Sequence, residues 1–135
     1  MLEAKRMEYQ ECCLNMRHYG NMRFAQLTLF FALNAGLISV FVRDTRIDQA
    51  LAFALKLIGI VGSLCFCLMD FRAASYWAEF RKRAVALEEE LDLYQYRNGL
   101  QHCGIWTASN ATRLLLGMAA LVWFLALADH CCDVF

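Results

Sequence analysis

Three stretches of the chain carry almost no charge, and the rest of the pattern is arranged around them. Nineteen uncharged residues, Phe24 to Val42, lie between Arg23 and Arg43 and read FAQLTLFFALNAGLISVFV. At about 1.5 Å of rise per residue this run nearly matches the roughly 30 Å hydrocarbon core of a bilayer. A second run, Ala50 to Met69, is interrupted only by Lys56, whose stem can extend toward the nearer interface; its last thirteen residues, LIGIVGSLCFCLM, are uncharged. A third, Leu114 to Ala128, has fifteen uncharged residues between Arg113 and Asp129. That is short of the roughly 17 a span needs. It suffices if Arg113 snorkels and the helix begins near Thr107 to Asn110, where Thr, Ser and Asn supply N-cap oxygens. A helix buried in a soluble bundle would show a polar face, and Phe24 to Val42 offers only Gln26, Thr28, Asn34 and Ser39.

The pattern predicts an all-α fold: a polytopic helical membrane protein with three transmembrane helices and a long cytoplasmic helical extension. Its expected segments are an amphipathic cytoplasmic helix 1–23, spans at 24–42, 50–69 and 107–128, an outer loop 43–49, a cytoplasmic helix 70–97 continuing the second span, a turn at 98–106 and an outer tail 129–135. No Gly or Pro interrupts Asp70 to Arg97. Within that stretch Trp77, Phe80, Ala84, Leu87, Leu91 and Tyr94 follow the 3, 4, 3, 4, 3 spacing of a coiled-coil seam, and Glu79 is placed to pair with Arg83. Such a seam needs a partner: the N-terminal helix, where Leu2, Tyr9, Cys13 and Met16 form an apolar stripe, or the same seam of another subunit. The run Arg81, Lys82, Arg83 followed by Glu88, Glu89, Glu90 suits a solvated face, and also suits pairing between neighbouring subunits.

Composition narrows the class. Of 135 residues 60% are hydrophobic and 19% charged, with thirteen cations, thirteen acids and no proline. One domain is expected. A neutral, apolar chain is neither disordered nor a nucleic-acid binder. Four cations (Lys5, Arg6, Arg17, Arg23) precede the first span and six (Arg72, Arg81, Lys82, Arg83, Arg97, Arg113) lie between the second and third, whereas the first loop holds Arg43 and Arg46. The imbalance predicts a multi-pass membrane protein with a cytoplasmic N-terminus. The apolar runs begin too late for a cleavable signal, so the N-terminus is expected to be retained. The seven cysteines include no C-x-x-C pair and suggest no disulfide framework.

Candidate functional positions lie on the second span. Ala52, Gly59, Ser63, Cys67 and Asp70 all fall within about 60° of Lys56 on a helical projection. This small, polar face suits close helix packing or a water-facing pore stripe. Asn34, amid apolar residues, must hydrogen-bond another helix. The tail Asp129-His130-Cys131-Cys132-Asp133 has metal-ligand atom types, but successive residues cannot easily converge on one ion. No phosphate loop, G-x-S-x-G or H-E-x-x-H occurs, and no acid lies within a span. Neither an enzyme nor a cofactor is expected, and a proton-coupled transporter would lack its relay.

The segment Arg17-His18-Tyr19-Gly20-Asn21-Met22-Arg23 leads directly into a span with Phe30, Phe31, Asn34, Leu37 and Ile38. A Gly-containing second span and a long helix with Ser75-Tyr76 and a Leu/Glu-rich end follow. Across about residues 5 to 97 this resembles the RipA-like octameric and SLATT groups of small bacterial membrane proteins; the third apolar segment departs from that pattern. The resemblance implies a homo-oligomer and a pore-forming effector of antiphage defence, switched by a regulatory protein or nucleotide signal. The expected function is therefore a homo-oligomeric inner-membrane pore or membrane-disrupting effector gated through its cytoplasmic helices. The alternative is a non-conducting scaffold anchoring a cytoplasmic partner. Expected partners are membrane lipid and further copies of the chain, not nucleic acid.

Overall fold

The structure, a computed structural model, describes residues 2–43, 47–97 and 108–134. It consists of α1 (Leu2–Arg43), α2 (Gln49–Leu91) and α3 (Ala108–Val134), and no strand occurs among the described residues. The charged N-terminal segment and the first apolar run are one unbroken helix, because no proline interrupts them and Gly20 and Gly36 each cost only about 1 kcal/mol of helix propensity.

Helix α2 runs antiparallel to α1 along nearly its whole length. Tyr19 stacks on Tyr76 and Phe80, with ring centroids 5.3 and 5.8 Å away, and Phe30 meets Phe66 edge-on at 5.6 Å. Helix α3 is shorter and covers only the N-terminal half of α2, from Arg113 beside Asp70 to His130 near Phe53. The molecule therefore divides into a three-helix part and a two-helix extension formed by the start of α1 and the end of α2. All three helices are long and apolar enough to cross a membrane. Large apolar side chains, among them Phe24, Leu29, Leu64, Leu114, Val122 and Phe124, are exposed on the three-helix part.

The extension closes on itself. Cys12 and Met16 of α1 are buried against Ala84 and Leu87 of α2, flanked by Tyr9, Trp77, Phe80 and Tyr96. The seam thus has the N-terminal helix of its own chain as a partner; Leu91 is half-buried and Tyr94 exposed. Arg83 donates to Glu8 at 2.6 Å rather than to Glu79, which takes Lys82 at 2.9 Å. Glu89 lies 3.7 Å from Arg97 and Glu90 pairs with Lys5, so the acidic run is engaged within the chain.

Helix α2 ends at Leu91, short of Arg97, and Glu88 explains why. Asp92 adopts a left-handed conformation (φ 56°, ψ 43°) and the chain folds back. The fully buried Glu88 carboxylate then accepts the backbone N–H groups of Tyr96 at 2.9 Å and Arg97 at 2.9 Å, and the Tyr9 hydroxyl at 2.9 Å. Continuing the helix would forfeit the two charge-assisted bonds from Tyr96 and Arg97. At the other end, α3 continues to Val134, so most of the expected tail is helical. The expected turn at 98–106 lies outside the described residues.

Burial, and then the bond to Glu88, push the Tyr9 hydroxyl pKa above its ordinary value. A raised folded-state pKa means that this contact stabilises fully below pH of about 10 and is lost as pH rises through the folded value. In an alkaline titration followed by tyrosinate absorbance and proteolysis of the extension, Tyr9→Phe should remove that late transition. Glu88→Ala, which strands two backbone amides, should destabilise the extension by about 1–3 kcal/mol and speed amide exchange at Tyr96 and Arg97.

Candidate functional site

Each apolar run ends on a charge, and the antiparallel threading brings three of those charges to one level. Arg23 of α1 donates from Nε to Asp70 Oδ1 at 2.8 Å and from Nη2 to Ser109 Oγ at 3.1 Å. Arg113 of α3 stands 3.5 Å from the other carboxylate oxygen, and its guanidinium lies 4.0 Å from the centroid of the Phe71 ring. The Asp70 side chain is only 5% exposed, against 23% for Arg23 and 29% for Arg113. Two guanidiniums against one carboxylate leave the cluster with one net positive charge. Gln26 Oε1, also buried, has no hydrogen-bond partner among the described residues. It lines, with Arg23, Asp70 and Thr112, a void of about 10 Å³, the size of one water.

Farther along the three-helix part, Asn34 finds the cross-helix partner its position demands. Its Oδ1 accepts the Trp123 indole N–H at 2.8 Å, and its Nδ2 donates to Phe30 O at 2.9 Å. The indole lies flat on Gly59, where any Cβ would overlap the ring. Ser63 is buried and donates to Gly59 O at 2.8 Å. Of the small, polar face of α2, Gly59, Ser63 and Asp70 are therefore enclosed by α1 and α3 of the same chain. Ala52, Lys56 and Cys67 are half-buried.

No Cα of α1 comes within 8 Å of one in α3. Between the two helices runs a crevice. Its apolar section holds about 420 Å³ and is lined by Phe31, Asn34, Ile38, Leu115, Val122 and Trp123, among others. Its section at the charged end holds about 190 Å³ and is lined by Gly20, Arg23, Phe24, Leu27, Asp70 and Thr112.

Of the tail's candidate ligands, Asp129, His130, Cys131 and Cys132 are successive helical residues that diverge around the axis. Among the described residues no group of three His, Cys, Asp or Glu is placed to hold a metal ion.

No family model, curated protein or solved structure matches the chain. The residues overlooked by sequence reasoning are Arg23, Arg113, Ser109 and Trp123. Arg23 and Arg113 serve in the sequence as ends of apolar runs and as cations on the cytoplasmic side, not as partners of Asp70. The usable signal was that Arg23, Asp70 and Arg113 border three successive runs on the same side, so antiparallel threading must bring them together.

Gly59 gives a sharp test of the Trp123 contact. Gly59→Ala should force the indole off Asn34 and destabilise the protein by about 1–3 kcal/mol, with a shift in tryptophan emission. Adding Trp123→Phe should recover part of the loss in a double-mutant cycle, and fully additive effects would show that the two residues do not interact.

Proposed function

We propose that the chain is an integral protein of the bacterial inner membrane, crossing it three times with the N-terminus and two-helix extension in the cytoplasm. It acts as a non-enzymatic scaffold whose spans anchor the extension for a cytoplasmic partner. One observation carries this reading. Apolar side chains are exposed around the three-helix part up to the level of Arg23, Asp70 and Arg113, and beyond that level exposed ion pairs such as Arg83–Glu8 flank the apolar seam that joins the helices. An apolar exterior suits lipid, and a charged collar suits the interface where it ends. The excess of Lys and Arg on the same side supports the orientation. Asn34, Ser63 and Asp70 all bond within one chain, which favours anchoring over a lumen lined by the α2 face.

A homo-oligomeric pore-forming or membrane-disrupting effector, gated through the extension and active in antiphage defence, is the second reading. Gly36 and Gly117 favour it, because a Cβ on either would meet nothing within 4 Å, leaving two small-residue positions on outward faces for close approach by another helix.

The native cysteines allow a direct test. An impermeant maleimide applied to spheroplasts should label a variant retaining only Cys131 and Cys132, and should spare one retaining only Cys13 until the membrane is opened. The reverse pattern would invert the topology, and release of the protein by alkaline carbonate would remove it from the bilayer. In planar bilayers the scaffold should give no unitary conductance; reproducible channels would decide for the pore.

A further inference from the structure

The two sections of the α1–α3 crevice follow one another along both helices. Of the α1 residues that line them, Phe24, Leu27, Phe31, Asn34, Ile38 and Phe41 keep a 3, 4, 3, 4, 3 register. On α3 they are lined by Thr112, Leu115, Ala119, Val122 and Ala126, again at alternating spacings of 3 and 4. Both helices therefore present one face to the same gap.

The gap is graded in polarity. At one end stand Arg23, Asp70 and Thr112, and Arg113, beside Asp70 but outside the lining, leaves the cluster with one positive charge in excess. Past Leu27 the walls are apolar as far as the Asn34–Trp123 pair, whose polar atoms are turned toward each other. From Arg23 to Asn34 the helix rises about 16 Å. That is about half of a bilayer's hydrocarbon core, the depth reached by one acyl chain.

We propose that this crevice binds one anionic phospholipid. Its phosphate lies against the Arg23 guanidinium, drawn by the excess positive charge that Arg113 gives the cluster, and an acyl chain fills the space between α1 and α3 down to Trp123. The proposal rests on the reading that the three helices cross a membrane. Charge complementarity selects the occupant: a second copy's apolar helix would fill the inner section but leave the excess cationic charge unanswered, whereas a phospholipid matches both ends. Basic sites between spans near the interface favour anionic headgroups for the same electrostatic reason.

The test uses the full chain with Trp77→Phe and Trp106→Phe, so that Trp123 is the sole tryptophan, reconstituted in vesicles containing phosphatidylglycerol or phosphatidylcholine brominated at mid-chain. Brominated phosphatidylglycerol should quench Trp123 at a mole fraction about fivefold lower than brominated phosphatidylcholine, the ratio expected from one unit charge at the interface. Arg113→Gln should abolish that preference, and Ala119→Phe, which narrows the crevice without touching the charges, should reduce quenching by both lipids. Circular dichroism of each variant separates these effects from loss of fold. Equal quenching by the two lipids, unaltered by either substitution, would reduce the crevice to ordinary lipid contact and overturn the proposal. Absence of quenching in protein that still floats with the vesicles would also overturn it, and cross-linking from a cysteine placed at Ala119 would then report whether a second copy fills the gap. Failure to float would instead remove the membrane reading itself.

Discussion

The buried carboxylate of Asp70 is the point on which the architecture turns. It lies where α1, α2 and α3 come level, and it is the anion available there to Arg23 and Arg113. Taking a carboxylate out of water costs several kcal/mol, and only well-placed cations offset that cost. Such a cluster adds little net stability over an apolar equivalent, but it is intolerant of misalignment. Sliding α1 or α3 by one helical turn would leave a charge unpaired in a low-dielectric setting. The cluster therefore fixes register, and apolar packing supplies the stabilisation.

Register in turn dictates the contacts farther along. With Arg23 and Arg113 tied to Asp70, Trp123 is carried to the level of Gly59 and Asn34. The small face of α2 becomes the floor of the three-helix part because α1 and α3 are drawn to it from two sides. Gly59 is needed for its lack of a side chain. Ser63 meets its hydrogen-bonding need on its own helix, as a buried hydroxyl on an apolar helix must. The same geometry keeps α1 and α3 apart, so their crevice follows from both helices being referred to α2.

The three apolar runs and their limits were legible because charge interrupts hydrophobicity at Arg23, Arg43, Asp70, Arg113 and Asp129, and those interruptions are local. The seam from Trp77 to Leu91 was legible for the same reason: a heptad is read along one chain. Its partner was not, since an apolar stripe specifies that something must cover it without specifying what. The end of α2 was hidden because it depends on Glu88 reaching backbone amides eight and nine residues later, and nothing in the run Glu88-Glu89-Glu90 distinguishes the buried acid from its exposed neighbours. The contact of Trp123 with Gly59 was equally hidden, being a matter of three-dimensional alignment. The polar face from Ala52 to Asp70 was visible as a pattern, and three of its members proved to have companions inside the chain.

The continuity of α1 and α2 past the level where α3 begins has a mechanical consequence. Neither helix contains a proline, and α2 has no glycine between Gly62 and its end. A helix without such a break bends only by small, distributed curvature. A push or twist delivered to the projecting end of α2 therefore travels as through a stiff lever, with the ionic collar as its fulcrum, and its effect emerges at the opposite end of the apolar part.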